Sequence, residues 1–449
     1  MRRSGLVLLA AVVLILALVG VLNIRSDVTN TAPNPSAAGP SAESSALYCT
    51  GLTNARGDLR GRVTFVNTTS ATRHVVVHAV ATGASSAVAT AITLGPYARD
   101  SVSPTNLLVG KTYALSAQVD GGGVSAEQVV TRHGTQSPCS NEGVTSWYGS
   151  GFDTTVGSTA ILSVYNPTAT AAVFNVTTFT NSGYLAPAPL QGVSVGPHAE
   201  LTLNLGEEIV ATSNVGVQVT VLRGSLVIVG DQISGTTSSM NYGTTLLAST
   251  GTLALVTTAN TAVAQVRISN PGPAAALVKL KVKMGKFNVA PQSKTVAPYH
   301  SAVISITPNT AIPAAGEASL VMSSTQAVDV TLATGTSDGL TFSPLGSPES
   351  RVVLADVTGA GYGEATLTNA TIATTDVKWT LIHHGAVAST GSTTLGAGGT
   401  ISLGQLLGGR DKLQGATLVL SSATPALVVN AILNTTPGGV TLAAALNGG

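Results

Sequence analysis

The chain has 449 residues, which is too long for one ordinary domain, and only 9% of them are charged. Lysine and arginine together number 21 against 20 acidic residues, and aromatic residues make up 4%. This balance excludes generic nucleic-acid binding, because the chain offers neither a net positive field for phosphates nor many rings for stacking bases. The many small and hydroxyl-bearing residues favour β-structure.

An apolar segment lies near the start of the chain. Residues 5–22 contain no polar side chain and follow Arg2 and Arg3. A helix of this length crosses hydrocarbon, and the positive residues ahead of it favour an exported remainder. A cleaved signal peptide has a similar pattern, but no Ala-x-Ala site follows the apolar residues. We therefore expect residues 1–25 to be a cytoplasmic tip and an uncleaved transmembrane anchor, so that the protein is a single-pass protein of the cell membrane with its bulk extracytoplasmic.

The residues that follow the apolar segment differ in composition. Residues 26–46 contain three prolines and many Ser, Ala, Thr and Asn residues, which predicts a flexible stalk. Cys49 comes just after the stalk, and Cys139 is the only other cysteine. In an oxidising compartment the two cysteines are expected to form one disulfide across the first repeat. A metal or redox site is the alternative, but no Cys-x-x-Cys pair or adjacent His or Asp completes a ligand set. No cofactor is predicted.

A short alternating strand that ends in asparagine occurs four times, at intervals of about 100 residues. The residues two and four positions before each asparagine are apolar, and a second strand resumes in the same phase eight positions after it. Because a slip of one residue would exchange the two faces, this constant phase predicts one buried face in every copy. The four segments are Val63–Asn67, Leu162–Asn166, Val266–Asn270 and Ala365–Asn369.

A second landmark follows the asparagine in every copy and predicts a turn between two strands. Its four versions are Leu94-Gly-Pro-Tyr97, Val195-Gly-Pro-His198, Val296-Ala-Pro-Tyr299 and Leu395-Gly-Ala-Gly398. Six or seven short strands per repeat predict an all-β fold of four tandem immunoglobulin-like or fibronectin-like β-sandwich repeats after one N-terminal transmembrane helix. The predicted repeats span 47–140, 141–240, 241–346 and 347–449. We expect four beads on a stalk, and their short joints permit packing end to end.

Candidate catalytic and metal-binding residues give little support for chemistry. Gly335–Gly339 matches the Gly-x-Ser-x-Gly pattern of a nucleophile elbow, but no helix is predicted after it, so we interpret it as an inter-repeat turn. His74 and His78 share one face of a predicted strand without an acidic cluster, which is typical of surface histidines. No catalytic residue is assigned, and the protein is not expected to be an enzyme.

The only concentrated charge lies in the third repeat. Lys279, Lys281 and Lys283 alternate on the outward face of a predicted strand, and Lys286 follows them. One interpretation is contact with an anionic envelope polymer or a lipid headgroup. The other, which the sequence favours, is a charged strand face that resists edge-to-edge aggregation.

Residues 146–232 contain a series of short motifs. They are Ser146-Trp-Tyr-Gly149, Leu162-Ser-Val-Tyr-Asn-Pro167, Val195-Gly-Pro-His198 and Val217-Gln-Val-Thr-Val221. Over this stretch the chain resembles actinobacterial membrane-anchored secreted proteins that carry domain of unknown function 5719. The similarity is fainter in the first repeat, and the fourth repeat departs from it at Ala397 and Gly398. The resemblance implies a location in the cell envelope and supplies no catalytic residues.

The sequence therefore favours a non-catalytic extracytoplasmic envelope protein that acts as a structural or protein-interaction scaffold. Its expected contacts are the membrane, through the N-terminal helix, and other envelope proteins or cell-wall polymer, but not nucleic acid. The alternative function is a binding module for cell-wall glycan or another envelope polymer, accessory to a membrane glycosyltransferase.

Overall fold

A computed structural model describes residues 46–447, except for 54–60, 85, 131–135, 235–236, 258–262, 285–286, 307–315, 337–338, 346–347, 355–364, 410–411, 413–414, 436–438 and 445. The predicted tip and anchor, the stalk up to residue 45, and Lys286 therefore lie outside the described residues. Within the described residues, no helix is both long enough and apolar enough to cross a membrane. The protein is all-β where it is described, and short helical turns are the exception.

The first repeat folds into two antiparallel sheets over its described residues. Their orders are β1-β6-β3-β4 and β5-β2-β7-β8. Val63, Phe65, Val75 and Val77, all at positions predicted to face inward, are fully buried between the sheets. The elements are β1 (Ala46–Thr53), β2 (Gly61–Asn67), β3 (Arg73–Ala81), β4 (Val88–Leu94), β5 (Arg99–Val102), a 3₁₀ turn (Pro104–Asn106), β6 (Thr112–Val119), β7 (Val124–Val130) and β8 (Gln136–Pro138).

The second repeat has the same plan. Its sheets run β12-β11-β15-β9, with β13 also paired to β11, and β14-β10-β16-β17. Leu162, Val164, Phe174 and Val176 fill the core between them. The elements are β9 (Ser146–Phe152), β10 (Ser158–Tyr165), β11 (Ala172–Thr180), β12 (Gly183–Leu185), β13 (Val193–Val195), β14 (Glu200–Asn204), β15 (Val215–Arg223), β16 (Val227–Ser234) and β17 (Thr237–Asn241), with 3₁₀ turns at Ala188–Leu190 and Leu205–Glu207.

In the third repeat one long strand belongs to both sheets. Its first part pairs with β18 and β20, and its second part pairs with β19 and β25. Val266, Ile268, Val278 and Leu280 are buried in the core. The elements are β18 (Ala248–Thr257), β19 (Val263–Asn270), β20 (Ala276–Met284), β21 (Phe287–Asn288), β22 (Gln292–Val296), β23 (His300–Ser305), β24 (Gly316–Thr336), which is the long strand, and β25 (Gly339–Pro344).

The fourth repeat again forms two sheets, ordered β29-β28-β31-β26-β34 and β30-β27-β32-β33. Leu367, Val377 and Leu381 are buried between them, and Trp379 packs against this core. The elements are β26 (Arg351–Leu354), β27 (Ala365–Asn369), β28 (Thr375–His383), β29 (Ala386–Leu395), β30 (Thr400–Ser402), α1 (Leu403–Leu407), β31 (Thr417–Ser422), β32 (Leu427–Thr435), β33 (Gly439–Ala444) and β34 (Leu446–Asn447).

The strand order differs from the immunoglobulin order. In an immunoglobulin domain the first strand pairs with the second, and the last strand joins the sheet of the strand before it. Here β9 pairs with β15, whereas β16 crosses to pair with β10. The other repeats have the same exchange. The β-sandwich prediction is therefore confirmed in its two-sheet plan, but the immunoglobulin-like strand order is wrong.

The two sequence landmarks meet in space through the asparagine side chain. The amide of Asn166, which is fully buried, donates to the carbonyls of Thr170, Val195 and Gly196 at 2.7, 3.1 and 2.9 Å. Its side-chain oxygen accepts from the backbone N–H of Thr168 at 3.0 Å. The same set of bonds surrounds each of the other three, namely Asn67, Asn270 and Asn369. One buried side chain thus joins two turns that are about 30 residues apart.

The last residue of the second landmark has a left-handed backbone in every repeat. The φ angles are 55° at Tyr97, 50° at His198, 60° at Tyr299 and 64° at Gly398. Glycine adopts this conformation without steric cost. Gly398 of the fourth repeat therefore keeps the conformation of the turn but lacks the tyrosine or histidine side chain of the other repeats.

The four repeats form a ring and not a row of beads. Contacts join β1 to β10 and β16, β9 to β24, and β18 to β27 and β32, and β33 of the fourth repeat returns to β8 of the first. Val353 and Val66 are both fully buried where the fourth repeat meets the first. One strand of each repeat takes part in a closed circle of contacts, in which β8 meets β17, β17 meets β25, β25 meets β33 and β33 meets β8. The expected row of beads is wrong because the fourth repeat returns to the first, whereas the packing between neighbours that the short joints permitted is present.

The outward side of the asparagine strand explains this packing. The residues one position before each asparagine should face solvent in an isolated sandwich, yet their exposed fractions are 0% for Val66, 3% for Tyr165, 2% for Ser269 and 0% for Thr368. The residues three positions before, Thr64, Ser163, Arg267 and Thr366, are also buried. Both faces of these strands are therefore removed from water, one by the core of the repeat and one by a neighbouring repeat.

Candidate functional site

The first junction contains a buried carboxylate that is bound by neutral donors. Glu200, at the start of β14, accepts from the hydroxyls of Thr50 and Thr82 at 2.9 and 3.0 Å and from the backbone N–H of Gly51 at 3.2 Å. Burial raises the pKa of Glu200 to about 7, although these three hydrogen bonds oppose the shift. Tyr48 and Tyr165 pack beside it with ring centroids 6.3 Å apart.

The second junction repeats this chemistry with different residues. Ser150 of β9 donates to the carboxylate of Asp329, and it shares a 2.7 Å hydrogen bond with Ser269. Burial raises the pKa of Asp329 to about 7, against the opposing hydrogen bonds from Ser150 and the backbone of Val330. Each of these two junctions therefore contains one carboxyl group, Glu200 or Asp329, that changes its protonation state near neutral pH.

Arginine side chains also lie at two junctions, where Arg267 is buried and Arg351 is half-buried. Arg267 donates to the carbonyl of Gly151 at 2.7 Å and lies 5.9 Å from the centre of the Phe342 ring. At the closing junction Arg351 donates to the hydroxyl of Thr68 at 3.0 Å. Burial lowers the pKa of both arginines. These charged groups hold repeats together, which is a structural use of residues that catalytic sites also employ.

The predicted disulfide between Cys49 and Cys139 is present, with a Cα–Cα distance of 4.7 Å. Cys49 is buried in the first core, and Tyr48 pairs with Ser140 directly beside the bond. The disulfide therefore fixes the end of the first repeat to its own first strand. It does so at the side of the repeat that packs against the second repeat.

The other candidates from the sequence do not come together. Thr336 and Gly339 pair where β24 is followed by β25, and both strands belong to the third repeat, so the interpretation of this segment as an inter-repeat turn is wrong. Ser337 and Asp338 lie outside the described residues. His74 is exposed and shares a 3.1 Å hydrogen bond with Thr93. Within the described part of the chain, no group of three or more His, Cys, Asp or Glu residues is placed to hold a metal ion.

The basic residues of β20 remain exposed in the structure. We call Lys279, Lys281 and Lys283 the lysine row, and all three side chains are exposed on the outward face of that strand. Lys286, the fourth residue predicted with them, lies outside the described residues. The row belongs to the sheet that also contains β18, β22 and the first part of β24.

A second exposed surface was not anticipated from the sequence. Tyr184 of β12 and Tyr299 of the third repeat have ring centroids 5.5 Å apart, and they are 57% and 39% exposed. We call these two residues the tyrosine patch. Its only sequence signal is Tyr299 in the second landmark, because the two tyrosines are far apart in the chain.

No protein-family model matches this chain. No curated protein matches it either. The resemblance described above therefore stays a prediction. Among solved structures, the crystal structure of a tetra-tandem repeat in the extending region of a large adhesion protein aligns with 91% of this chain and 97% of its own, at 16% identity and a TM-score of 0.10. An α-L-rhamnosidase from Streptomyces avermitilis, complexed with L-rhamnose, aligns with 86% of this chain and 55% of its own, at 9% identity and a TM-score of 0.13. Both TM-scores are too low to support an argument about fold or function.

Proposed function

We propose that this protein is a non-catalytic scaffold of the bacterial cell envelope, which holds other envelope proteins in a fixed arrangement outside the membrane. The observation that carries the proposal is the closed ring. Because both faces of the asparagine strands are buried, the four repeats have a fixed orientation, and their turns and remaining exposed patches keep constant positions. When a partner binds a rigid frame of this kind, little conformational entropy is lost, because the binding surfaces are already ordered.

Two features support the proposed location. The disulfide between Cys49 and Cys139 is of the kind that persists in oxidising compartments outside the cytosol. The apolar residues 5–22 behind two arginines fit a single-pass anchor with an extracytoplasmic remainder. The intact mass of the membrane-extracted protein tests the anchor directly, because cleavage after the apolar segment would remove those residues from the measured mass.

The tyrosine patch is the proposed contact for a partner protein. Exposed aromatic residues are enriched where proteins meet, and isolated exposed apolar residues need no such explanation. Tyr184 and Tyr299 come from different repeats, so the patch exists only when the second and third repeats are packed together. A partner at this surface would therefore recognise the assembled ring and not an unfolded or separated repeat.

Site-specific photo-crosslinking in living cells tests the scaffold function. A photoreactive amino acid at Tyr184 is expected to give discrete protein adducts that survive digestion of the cell wall. The matched control is the same amino acid at Val156, which is 100% exposed on a turn of the second repeat and is expected to give none of these adducts. Adducts only with wall glycan, or identical products from both positions, would contradict the proposal.

A further inference from the structure

The lysine row has a regular geometry. Its three residues alternate along β20, so their side chains leave one face of the sheet at intervals of about 6.8 Å. On the same face Lys279 is paired with Ser293 and Ser323, and both serines are exposed. The row is therefore a line of cations with hydroxyl groups beside its first member, and the ammonium group of its last member, Lys283, lies beside the Gly398 turn of the fourth repeat.

Nothing in the described part of the chain neutralises these charges. None of the three lysines has a hydrogen bond or an ion pair with another described residue. Three like charges in line repel one another, and this chain uses cations sparingly, since it has only 21 in 449 residues. An unpaired row is therefore unfavourable for the protein alone, and an anionic partner would relieve the repulsion.

The fold itself does not require lysine at these positions. The equivalent residues are found by counting from the asparagine that recurs in each repeat. They are Val76, His78 and Val80 in the first repeat, Asn175, Thr177 and Phe179 in the second, and Lys378, Thr380 and Ile382 in the fourth. Three of these, Val80, Phe179 and Ile382, are buried apolar residues, whereas Lys283 of the row is exposed. The third repeat thus carries lysine at all three positions, including the third, where the other repeats bury an apolar residue.

We infer that the lysine row binds a linear, base-free phosphodiester polymer, with one phosphate held by each lysine. A polymer with one negative charge in each repeating unit matches cations at equal intervals along a line, whereas separate lipid headgroups gain nothing from that order. Phosphate oxygens accept hydrogen bonds from serine as well as from lysine, which fits Ser293 and Ser323 beside Lys279. The described register partners of the row are serine, valine and asparagine residues, which offer no platform for the bases of a nucleic acid.

This inference goes beyond the scaffold function and does not depend on it. A ring that binds polymer through β20 is able to dock proteins elsewhere. The failure of either proposal therefore leaves the other standing, because photo-crosslinking at Tyr184 and polymer binding at β20 are separate measurements on separate surfaces.

Interferometry with immobilised poly(glycerol phosphate) tests the inference, with the full chain in nanodiscs of zwitterionic lipid. The variant Lys279→Gln/Lys281→Gln/Lys283→Gln is expected to bind the polymer at least on the order of tenfold more weakly. The slope of log affinity against log salt concentration should become less steep by about 0.7 for each lysine removed. The matched control Lys111→Gln/Lys294→Gln/Lys378→Gln removes three other exposed lysines and should bind like the unaltered protein. Unchanged melting temperatures will show that both variants are folded.

Several results would overturn the inference. Equal loss of binding in both triple variants would show a general effect of charge and not a site. Unchanged binding by the row variant, or equal binding to uncharged dextran, would show that the lysines do not hold the polymer. Tighter binding to single-stranded DNA, or competition by anionic phosphatidylglycerol vesicles that exceeds competition by free polymer, would assign the row to a different partner.

Discussion

Glu200 of the second repeat accepts a hydrogen bond from Thr50 of the first repeat at 2.9 Å, inside the junction between the two sandwiches. Its other partners are also neutral donors, the hydroxyl of Thr82 and the backbone N–H of Gly51. Burial without a cation favours the protonated carboxyl group. The stability of this junction is therefore linked to pH.

We predict that the ring is more stable in mild acid than in mild base. Since the pKa of Glu200 is raised from 4.5 when unfolded to about 7 when folded, its contribution is fully present below pH 4.5 and is lost as pH rises through 7. The change is on the order of 3 kcal/mol. Urea unfolding at a series of pH values measures it. Glu200→Gln should make the profile less steep between pH 5 and 8, with the part that belongs to Asp329 remaining, whereas Glu207→Gln, at an exposed position, should leave it unaltered. Equal profiles for the native protein and Glu200→Gln would contradict this linkage.

The asparagine of each repeat gives a second prediction. Asn166→Ala removes the donor for three carbonyls and the acceptor for Thr168 within a fully buried site. The expected loss is about 3 kcal/mol or more of unfolding free energy, because buried groups without partners cost about 1–3 kcal/mol each. Asn166→Asp should be worse, since its carboxylate would face the same carbonyls. Chemical denaturation measures both variants, and Asn181→Ala at an exposed turn is the control. Similar stability for Asn166→Ala and Asn181→Ala would show that the bonds are dispensable.

The inward half of each sandwich was predictable from the sequence, because burial imposes a period of two on strands. Phe65 and Val63 are fully buried as that rule requires. The outward half was not predictable in the same way. Ser269 and Thr368 are polar, so the rule places them in solvent, although neighbouring repeats bury them. Small hydroxyl side chains are compatible with both water and a tight interface, and their residue type does not distinguish the two.

The closure of the ring could not be predicted from the sequence either. Arg351 and Thr68 form a junction across 283 residues of sequence, and no local pattern relates two such distant positions. A weak signal existed in the first strands, where Thr50-Gly51, Ser150-Gly151 and Thr250-Gly251 recur at intervals of 100 residues. In the first two repeats this hydroxyl residue contacts a buried carboxylate of the next repeat. Such a recurrence suggests a repeated contact but does not reveal which surface it meets.

The second junction requires a residue without a side chain at Gly216. A Cβ atom there would lie 1.8 Å from the hydroxyl oxygen of Ser269 in the next repeat. Gly216→Ala should therefore separate the second and third repeats or destabilise them by about 1–3 kcal/mol, which is typical of overpacking. Gly396→Ala is the matched control, because nothing lies within 4 Å of its added atom. Thermal unfolding and hydrogen exchange at β9 and β19 measure the effect. Equal behaviour of the two variants would show that this contact is loose.

The closing junction allows the ring to be opened without disturbing a core. Val353 is fully buried against Val66 of the first repeat, whereas its neighbour Val352 is buried inside the fourth repeat. Val353→Asp places a charge between two repeats, and separation of the repeats returns that charge to water. We expect a larger radius of gyration by solution scattering with an unchanged β-sheet circular dichroism spectrum. Val352→Asp should instead lose folded signal from the fourth repeat, because its charge cannot escape the core. If Val353→Asp stays as compact as the native protein, the contact between the fourth and first repeats does not close the ring.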